Sequence, residues 1–295
     1  MAAQRIQGDK LSGQIIGDRY ELIELIDSGG QGHVYRARDK KAGDLVAVKV
    51  LKQQYADDVE WRERMFREAR ALSMLSGTSA VKVFDQKWTT DGALCIVMEL
   101  LTGEHLDDYL ARIHTSGRQL SPEELETLIA PIVQTLEVAH RNNIVHRDIK
   151  PANIYVLESG AVRLLDFGFA KFTHLRSMTR FGEVAGSPTY LAPESWAGNS
   201  KLLDHRVDVY GLAAVIFRAL ANRPPFVGDP ITLLQLATRG ERPSLHALRP
   251  DLPPNVDFWV QSALAIKPDE RFDGVAGMWN AFKIATGIKQ AWHRS

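Results

Sequence analysis

The sequence predicts an α+β protein in which a small β-rich part precedes a larger, mainly helical part. Over about the first third of the chain, short runs of β-formers alternate with turns. After Leu101 the pattern changes, because Ser121-Pro122-Glu123-Glu124 is a helix start with proline at the first position and acids in the first turn. This helix is predicted to run toward Asn142, and 193–287 is again largely helical. We therefore expect two lobes with a hinge near Leu100.

The first lobe is expected to contain five strands and one long helix. The helix is predicted over 57–75, where Trp61, Met65 and Leu72 recur on one apolar side. Two shorter strands are expected in the second lobe, around Ile144 and Val162. The five strands are predicted at 20–26, 33–38, 45–51, 80–88 and 93–100.

The composition is that of a globular protein with room for a substantial core, since 45% of the 295 residues are hydrophobic and 24% are charged. Basic and acidic residues number 36 each, so no net charge favours nucleic acid or an anionic membrane. The one cysteine, Cys95, cannot form an internal disulfide. The start of the chain lacks the apolar core of a signal peptide, and the longest apolar stretch, 207–220, is too short to span a bilayer. We expect a buried helix there, no membrane contact and a cytoplasmic location.

Three glycines, Gly29, Gly30 and Gly32, lie between two predicted strands. Glycines in such a turn let backbone N–H groups approach phosphate oxygens, because no side chain intervenes. A strand on both sides disfavours a dinucleotide-binding turn, which connects a strand to a helix. An ordinary hairpin turn would have the same pattern, so phosphate binding and a simple turn both remain open.

One charged residue, Lys49, lies inside the apolar strand Val46-Ala47-Val48-Lys49-Val50. A buried charge is unfavourable unless it is paired. Glu68, a helix residue among apolar neighbours, is a candidate partner, and such a pair would place an ammonium where phosphates need one. The alternative is an edge strand on which the lysine faces solvent.

Three later segments are the most informative: His146-Arg147-Asp148-Ile149-Lys150-Pro151-Ala152-Asn153, then Leu165-Asp166-Phe167-Gly168, then Tyr190-Leu191-Ala192-Pro193-Glu194. Together with the glycine turn and the strand lysine, and in the same order, they resemble the signature of the protein kinase family. The residues within and around these motifs are most similar to those of bacterial serine/threonine kinases. The resemblance implies a bilobal protein-kinase-like fold. It covers about 20–284, with an N-lobe at 20–101, a C-lobe at 102–284, and tails at 1–19 and 285–295.

The resemblance implies transfer of the γ-phosphate of ATP to serine or threonine hydroxyls of protein substrates, with Mg²⁺ or alternatively Mn²⁺. Asp148 corresponds to the catalytic base and Lys150 to the γ-phosphate contact. Asn153 and Asp166 correspond to the metal ligands, whose oxygens suit Mg²⁺. Ser187 is similar to the hydroxyl residue that braces base and lysine in serine/threonine kinases, which favours that specificity over tyrosine.

An adenine pocket is also implied by the resemblance. Glu99 and the backbone of Leu101 would provide hydrogen bonds at the hinge, and Met98 would limit the back of the pocket. Tyr155 would form the floor, and Glu104 is a candidate ribose contact. The roof would consist of apolar residues that also belong to the core: Ile26, Val34 and Ala47.

Four further matches have structural roles in the family. Glu194 and Arg271 resemble the buried ion pair that anchors the Ala-Pro-Glu segment. Asp208 resembles the helix carboxylate that holds the catalytic-loop backbone. His146 resembles a packed core residue rather than an acid–base catalyst. Arg147 resembles the arginine that in the family commonly binds a phosphate on the loop after Asp-Phe-Gly.

That loop is expected to span 166–194 and to carry an activating phosphorylation site. Thr179 is the first candidate by its distance from Gly186, and Thr173 and Ser177 are the next candidates. The alternative is that these hydroxyls only solvate a loop. Autophosphorylation by a second copy of the chain, in a homodimer, is a further expectation.

The glycine turn departs from the family pattern at one position, because Asp27 replaces the first glycine. A carboxylate there adds negative charge near the nucleotide, so weaker ATP binding is expected. Two alternative functions remain: a pseudokinase that acts as a scaffold, and a small-molecule kinase of the same fold. The first typically lacks the strand lysine, the base or the metal aspartate, and the second generally lacks a complete Ala-Pro-Glu segment; this chain has all of these.

Overall fold

The computed structural model describes residues 11–29, 32–51, 74–90, 92–167, 188–197 and 203–288. The chain divides into two units: Met1–Ser76 with Val81–Thr102, and Gly77–Ala80 with Gly103–Ser295. Every helix found in the described ranges belongs to the second unit. The architecture is therefore α+β, as predicted, with a β-rich first unit and a mainly helical second unit.

Among its described residues, the first unit forms one antiparallel sheet of six strands, in the order β1-β2-β3-β4-β6-β5. Two register shifts interrupt the pairing of β2 with β3, and the second falls between Leu25 and Asp27. The strands are β1 (Ile15–Ile16), β2 (Tyr20–Ser28), β3 (Gly32–Asp39), β4 (Leu45–Leu51), β5 (Val83–Trp88) and β6 (Leu94–Glu99).

The two faces of this sheet differ because side chains alternate along each strand. Val46, Val48 and Val50 of β4 belong to a buried apolar cluster on one face. Ala47 and Lys49 alternate with these valines and therefore belong to the other face. The alternation of side chains along β4 therefore places the buried Lys49 on one face of the sheet and the apolar cluster on the other face.

The second unit contains most of the regular structure found in the described ranges. A small sheet of β7 (Gly103–His105), β8 (Ile154–Leu157) and β9 (Val162–Leu164) is joined by Ala80, which forms a parallel bridge with Leu164. The helices are α1 (Leu106–Thr115), α2 (Pro122–Arg141), α3 (Arg206–Ala221), α4 (Pro230–Arg239), α5 (Leu245–Leu248), α6 (Val256–Ala263) and α7 (Val275–Thr286).

Helix α2 begins where the sequence predicts it. The Ser121 hydroxyl accepts a hydrogen bond from the Glu124 N–H at 3.1 Å, and the Glu124 carboxylate accepts one from the Ser121 N–H at 2.9 Å. This capping box satisfies two backbone donors that a helix start leaves without partners. The helix ends at Arg141, where the Ile144 N–H donates to the Ala139 carbonyl at 2.9 Å.

The strand predicted around Ile144 is therefore wrong, because this short apolar run closes the C-terminal end of α2 instead of joining a sheet. The strand around Val162 is confirmed as β9. The buried helix expected at 207–220 is confirmed as α3, and no helix in the described ranges is both long and apolar enough to cross a bilayer. The helix predicted over 57–75 lies almost wholly outside the described residues.

A buried ion pair connects the Pro193–Ala197 turn to the chain before α7. The Arg271 guanidinium donates to both carboxylate oxygens of Glu194 at 2.7 Å, and the Arg271 side chain is fully buried. Its remaining donors contact the carbonyls of Ala265, Ile266 and Arg206. The bidentate geometry makes this a strong pair, and loss of the carboxylate would leave a buried positive charge.

We predict that Glu194→Ala lowers the free energy of unfolding by about 3 kcal/mol, because Arg271 keeps its carbonyl partners but loses its counter-charge. Urea denaturation followed by circular dichroism measures this loss.

The matched control is Glu270→Gln, which removes the exposed pair with Lys267. It should change the unfolding free energy by less than about 0.5 kcal/mol, since exposed pairs contribute little. Equal effects of the two substitutions would contradict the structural role of the Glu194–Arg271 pair.

Candidate active site

Four of the residues expected to contact nucleotide share one face of the first unit's sheet. Val34 lies directly opposite Lys49, and Ala47 lies directly opposite Met98. Directly opposed residues of antiparallel strands lie on the same face, as do Ala47 and Lys49, which are two apart. Lys49 is 8% exposed. Its expected partner, Glu68, lies outside the described residues.

The glycine turn follows β2 and leads into β3. The Gly29 N–H donates to the Gly32 carbonyl at 2.9 Å, so the two ends of the turn are joined directly. A Cβ at Gly32 would lie 2.3 Å from the Val50 carbonyl oxygen, so close approach of β4 by itself requires glycine here. Gly30 lies outside the described residues. Gly32 therefore has a packing role in addition to any contact with phosphate.

Asp27, the departure from the family pattern, directs its carboxylate toward its own turn. Its Oδ1 accepts a hydrogen bond from the Ser28 N–H at 2.7 Å. Ile26, just before it, lies at the register shift and is 43% exposed. The local bond engages one carboxylate oxygen and leaves the β2–β3 pairing intact at Ser28 and His33.

The expected hinge residues lie at the end of β6. The Glu99 carboxylate accepts a hydrogen bond from the Lys82 N–H at 2.9 Å. Any contact of Glu99 with the adenine of a nucleotide would therefore use its main chain rather than its side chain. Leu101 follows the strand and is half-buried.

In the second unit, the catalytic-loop backbone is held by one carboxylate. Asp208, in the first turn of α3, accepts from the His146 N–H at 2.8 Å and from the Arg147 N–H at 2.7 Å. A third donor, Nε2 of His140, lies 2.8 Å from the same carboxylate. Asp208 is fully buried. Burial alone would raise its pKa, but the bonds and charge of His140 and the Arg147 N–H outweigh burial, so the pKa of Asp208 is lowered and the carboxylate stays ionised.

The same bonds hold Arg147 in a left-handed backbone conformation, with φ of +66°. Such a conformation is strained for a non-glycine residue and persists only where the surroundings impose it. Two N–H bonds to a buried carboxylate provide that constraint.

His146 is fully buried, and its hydrogen bonds define one tautomer. Its Nδ1 accepts from the Asp148 N–H at 3.2 Å, and its Nε2 donates to the Leu165 carbonyl at 2.8 Å. Burial lowers the pKa of His146, which keeps the ring neutral. The ring also packs on Phe167 with a centroid separation of 4.6 Å. His146 is thus a packed connector between the catalytic loop and the Asp-Phe-Gly segment.

Three candidate catalytic residues meet in the loop that His146 begins. The Lys150 ammonium lies 3.1 Å from Oδ2 of Asp148. The Asn153 amide nitrogen donates to the Asp148 carbonyl at 2.8 Å, so its Oδ1 is the oxygen left for a metal. Asp148 is 7% exposed and Asn153 6%. A carboxylate, an ammonium and an amide oxygen are thereby held on one short segment.

Asp166, the second expected metal ligand, follows β9 with φ of +43°. The residue before it, Leu165, donates its N–H to the Asn153 carbonyl at 2.8 Å and accepts from His146. Both bonds tie the Asp166 segment to the catalytic loop. Asn153 and Asp166 supply amide and carboxylate oxygens, the donor types that fit Mg²⁺ or Mn²⁺.

Tyr155, the expected pocket floor, lies in β8. Its hydroxyl donates to the Gly103 carbonyl at 2.9 Å, and its ring makes an edge contact with His105. The close pairing of β7 with β8 itself requires glycine at position 103, since a Cβ there would lie 2.0 Å from the Val156 carbonyl oxygen. Glu104, the candidate ribose contact, is bound by the guanidinium of Arg112.

Two positions that support the loop have no motif of their own. Gly211 lies under the loop, where a Cβ would be 3.0 Å from that of Ile149. An isolated glycine in the apolar 207–220 run was the available signal, since such glycines usually have a packing reason. His140 had no local signal, because its partner is 68 residues away. Among the remaining expected residues, Ser187, Thr173, Ser177 and Thr179 lie outside the described residues.

Comparison with known proteins agrees with this geometry. The family model described as "Protein kinase domain" matches residues 20–271. The chain is 36% identical to the probable serine/threonine-protein kinase SCO3848 of Streptomyces coelicolor, over 89% of this chain and 39% of the relative. It is also 36% identical to serine/threonine-protein kinase PknB of Mycolicibacterium smegmatis, over 90% of this chain and 42% of the relative. The chain thus spans about two fifths of the length of these curated relatives.

Solved structures agree as well. The kinase domain of Mycobacterium tuberculosis PknI is 28% identical with a TM-score of 0.75, covering 94% of this chain and 99% of that one. A match over most of the chain by sequence and by structure goes beyond shared motifs. The chain belongs to the protein kinase family.

Proposed function

We propose that this chain transfers the γ-phosphate of ATP to serine and threonine hydroxyls of protein substrates. The observation that carries the proposal is the catalytic loop, in which Lys150 lies 3.1 Å from the Asp148 carboxylate. Asp208 accepts hydrogen bonds from the N–H groups of His146 and Arg147, directly before this aspartate. Phosphoryl transfer depends mainly on positioning and charge stabilisation, which such an arrangement provides.

Each residue has a separate role in the proposed reaction. Asp148 would orient the attacking hydroxyl and take its proton as the oxygen–phosphorus bond forms. Lys150, held against Asp148, would contact the γ-phosphoryl group as negative charge develops on it. Lys49, on the sheet face with Val34 and Ala47, would bind the α- and β-phosphates and pair with Glu68.

The metal is assigned to Asn153 and Asp166. Their oxygens would hold Mg²⁺, which supplies charge neutralisation of the phosphates when bound. The Asn153 amide also donates to the Asp148 carbonyl, so a single side chain connects the metal site to the base.

A pseudokinase scaffold is not favoured. The strand lysine, the base and the metal aspartate are all present, and the base is paired with Lys150 rather than displaced. A small-molecule kinase is also not favoured, because the Glu194–Arg271 pair anchors a complete Ala-Pro-Glu segment. The relatives are named serine/threonine-protein kinases, which supports the same substrate class for this chain.

Regulation by phosphorylation forms part of the proposal. Arg147 stands directly before the base, and its guanidinium would bind a phosphate on the 166–194 loop, as the corresponding arginine commonly does in the family. We place this phosphate on Thr179, added by a second copy of the chain, with Thr173 and Ser177 as the other candidates.

We predict that Asp148→Asn lowers kcat by roughly 10²- to 10⁴-fold, because asparagine has the same size but cannot take the hydroxyl proton. Incubation with γ-labelled ATP, Mg²⁺ and a generic basic protein, followed by phosphoamino-acid analysis, measures the transfer. Asp108→Asn, at an exposed position of α1, is the control and should retain activity. Label on serine or threonine in the Asp148→Asn variant at the wild-type rate would refute the assignment of the base.

We predict that Asp166→Asn raises the Mg²⁺ concentration for half-maximal activity by about tenfold, because a carboxylate ligand becomes a neutral amide. Asparagine tolerates the left-handed backbone found here, so the fold should survive. Activity is titrated with Mg²⁺ at fixed nucleotide. An unchanged titration would show that Asp166 does not hold the metal.

We predict that Thr179→Ala lowers activity by roughly tenfold, since Arg147 then has no phosphate on the loop to bind. Mass spectrometry of the wild type locates the phosphate, and Thr173→Ala and Ser177→Ala serve as parallel controls. Full activity of the alanine variant, with no phosphate at that position in the wild type, would exclude Thr179.

A further inference from the structure

One charged side chain of the buried helix α3 has no part in the proposed phosphoryl transfer. From Val207 to Leu220, every residue of α3 is buried except Arg218, and the charged residues of this stretch are Asp208 and Arg218. Asp208 anchors the catalytic loop, whereas Arg218 lies half-buried in the last turn. The C-terminal end of a helix stabilises a positive charge, which accounts for an arginine here but not for the groups that its side chain contacts.

The guanidinium of Arg218 contacts neutral oxygens. Its Nη1 donates to Oδ1 of Asn222 at 2.8 Å, and the guanidinium also donates to the hydroxyl of Tyr190. Within the described part of the chain, no carboxylate forms an ion pair with Arg218. A guanidinium has more N–H groups than these acceptors engage, and no nitrogen of Arg218 is both buried and unbonded. Arg218 therefore keeps donors that are open to a further partner.

Tyr190 connects Arg218 to the surroundings of the proposed base. Tyr190 ends the Pro188–Tyr190 turn, which packs against α3. Tyr190 and Asp148 also line the same small cavity. Because the acceptor hydroxyl of a substrate must come within hydrogen-bond distance of Asp148, the substrate residues on either side of it pass close to this turn. The open donors of Arg218 thus lie where a protein substrate has to bind.

A carboxylate lies near Arg218 without pairing with it. Asp107, in the first turn of α1, is half-buried, and it forms no ion pair with Arg218. Burial raises the pKa of Asp107, although the positive charges of Arg218 and Lys150 act in the opposite direction. The charge of Asp107 also acts on the hydroxyl of Tyr190. Asp107 and Arg218 are therefore opposite charges around one tyrosine, beside the catalytic loop.

The two charges favour opposite kinds of substrate. A basic side chain would be attracted by Asp107, but it would meet the positive charges of Arg218 and Lys150. An acidic side chain would be repelled by Asp107, but it would gain the planar guanidinium, whose geometry matches a carboxylate with two parallel hydrogen bonds. Asp107 already has two cations near it, whereas Arg218 binds only neutral groups. Arg218 is the group with the greater capacity for a partner of opposite charge.

We propose that Arg218 is a specificity-determining residue, which binds the carboxylate of an aspartate or glutamate close to the phosphorylated serine or threonine of the protein substrate. This inference rests on the proposed kinase function and deepens it, because it names a chemical feature of the substrate. Tyr190 and Asn222 hold the guanidinium in place before the substrate arrives, which reduces the entropy lost on binding. Asp107 weakens the contact, because it repels the same carboxylate.

Serine peptides that differ at a single position test this inference. Each peptide carries glutamate, glutamine or arginine at one flanking position, and the position is moved along both sides of the serine. The measurement is kcat/KM with γ-labelled ATP and Mg²⁺. At one position the wild type should use the glutamate peptide about tenfold better than the glutamine peptide, as expected for one charge-assisted contact. The arginine peptide should be no better than the glutamine peptide there.

Two substitutions of Arg218 separate charge selection from a structural role. Arg218→Gln keeps an N–H donor for Tyr190 and Asn222, and it should use the glutamate and glutamine peptides within about twofold of each other. Its kcat/KM for the glutamine peptide should stay within about twofold of wild type, because the reacting groups are unchanged. Arg218→Glu should reverse the preference, so that the arginine peptide becomes the best of the three.

A substitution of the neighbouring carboxylate provides an independent check. Asp107→Asn should raise the preference for the glutamate peptide by about threefold, because it removes a repulsive charge. Asp108→Asn, at an exposed position of the same helix, is its matched control. Arg141→Gln is the matched control for Arg218, since Arg141 is an exposed arginine in the last turn of α2. Both controls should leave every peptide ratio unchanged, and urea denaturation confirms that each variant is folded.

The outcomes separate the inference from the function on which it rests. Absence of transfer to every peptide and to a generic basic protein would overturn the proposed function, and the inference with it. An active wild type that uses glutamate and glutamine peptides equally at every position overturns the inference alone, as does a glutamate preference that persists in folded Arg218→Gln. A preference for the arginine peptide that Asp107→Asn removes would assign the selection to Asp107 instead.

The inference can still be refuted if neither Arg218 variant folds. In that case Asp107→Asn decides, because the proposal requires the preference for the glutamate peptide to rise when the repelling carboxylate is removed. A preference that stays unchanged or falls in this variant overturns the role of Arg218.

Discussion

The buried carboxylate of Asp208 is the constraint on which the catalytic loop depends. A fully buried negative charge is strongly unfavourable unless donors surround it, and Asp208 has three, from His140, His146 and Arg147. The requirement works in both directions, because the carboxylate needs these donors and thereby fixes where their backbone must lie. The left-handed conformation of Arg147 follows from the same bonds. The residue after it, Asp148, consequently leaves the anchored segment in one defined direction.

From this anchor a continuous set of hydrogen bonds reaches Asn153 and the segment before Asp166, the two proposed metal ligands. His146 accepts from the Asp148 N–H and donates to the Leu165 carbonyl, and Leu165 in turn donates to the Asn153 carbonyl. The Asn153 amide completes this set by donating a hydrogen bond to the Asp148 carbonyl. Because His146 is neutral and uses one nitrogen as acceptor and the other as donor, it joins the two segments without adding charge to the loop. The segments that carry Asp148 and Asp166, the proposed base and metal ligand, are therefore joined by main-chain hydrogen bonds.

Much of this arrangement could be predicted from local pattern. The strands β2, β3 and β4 were expected within about two residues of their observed limits, because alternation along a strand is a local property. The capping box at Ser121 was readable for the same reason. The strand expected near Ile144 was wrong because the Ile144 N–H donates to the Ala139 carbonyl at the C-terminal end of α2. A short apolar run in the sequence does not reveal such a contact. Gly32 shows a mixed case: the turn was predicted, whereas the close approach of β4 that demands glycine was not.

The sequence by itself determined the fold class, the family and the residue types of the site, because the order of the motifs and the periodicity of apolar residues can both be observed without a structure. It also paired Glu194 with Arg271 and assigned Asp208 to the loop, but only through family resemblance. The tertiary structure decided which groups meet across long separations: His140 with Asp208, His205 with His140, and Gly211 under Ile149. These contacts arise where helices α2 and α3 pack around the loop, and packing depends on the shape of the whole unit rather than on any local run. A buried charge is stabilised by whichever donors lie near it in space, and a sequence pattern shows only how far apart residues are along the chain.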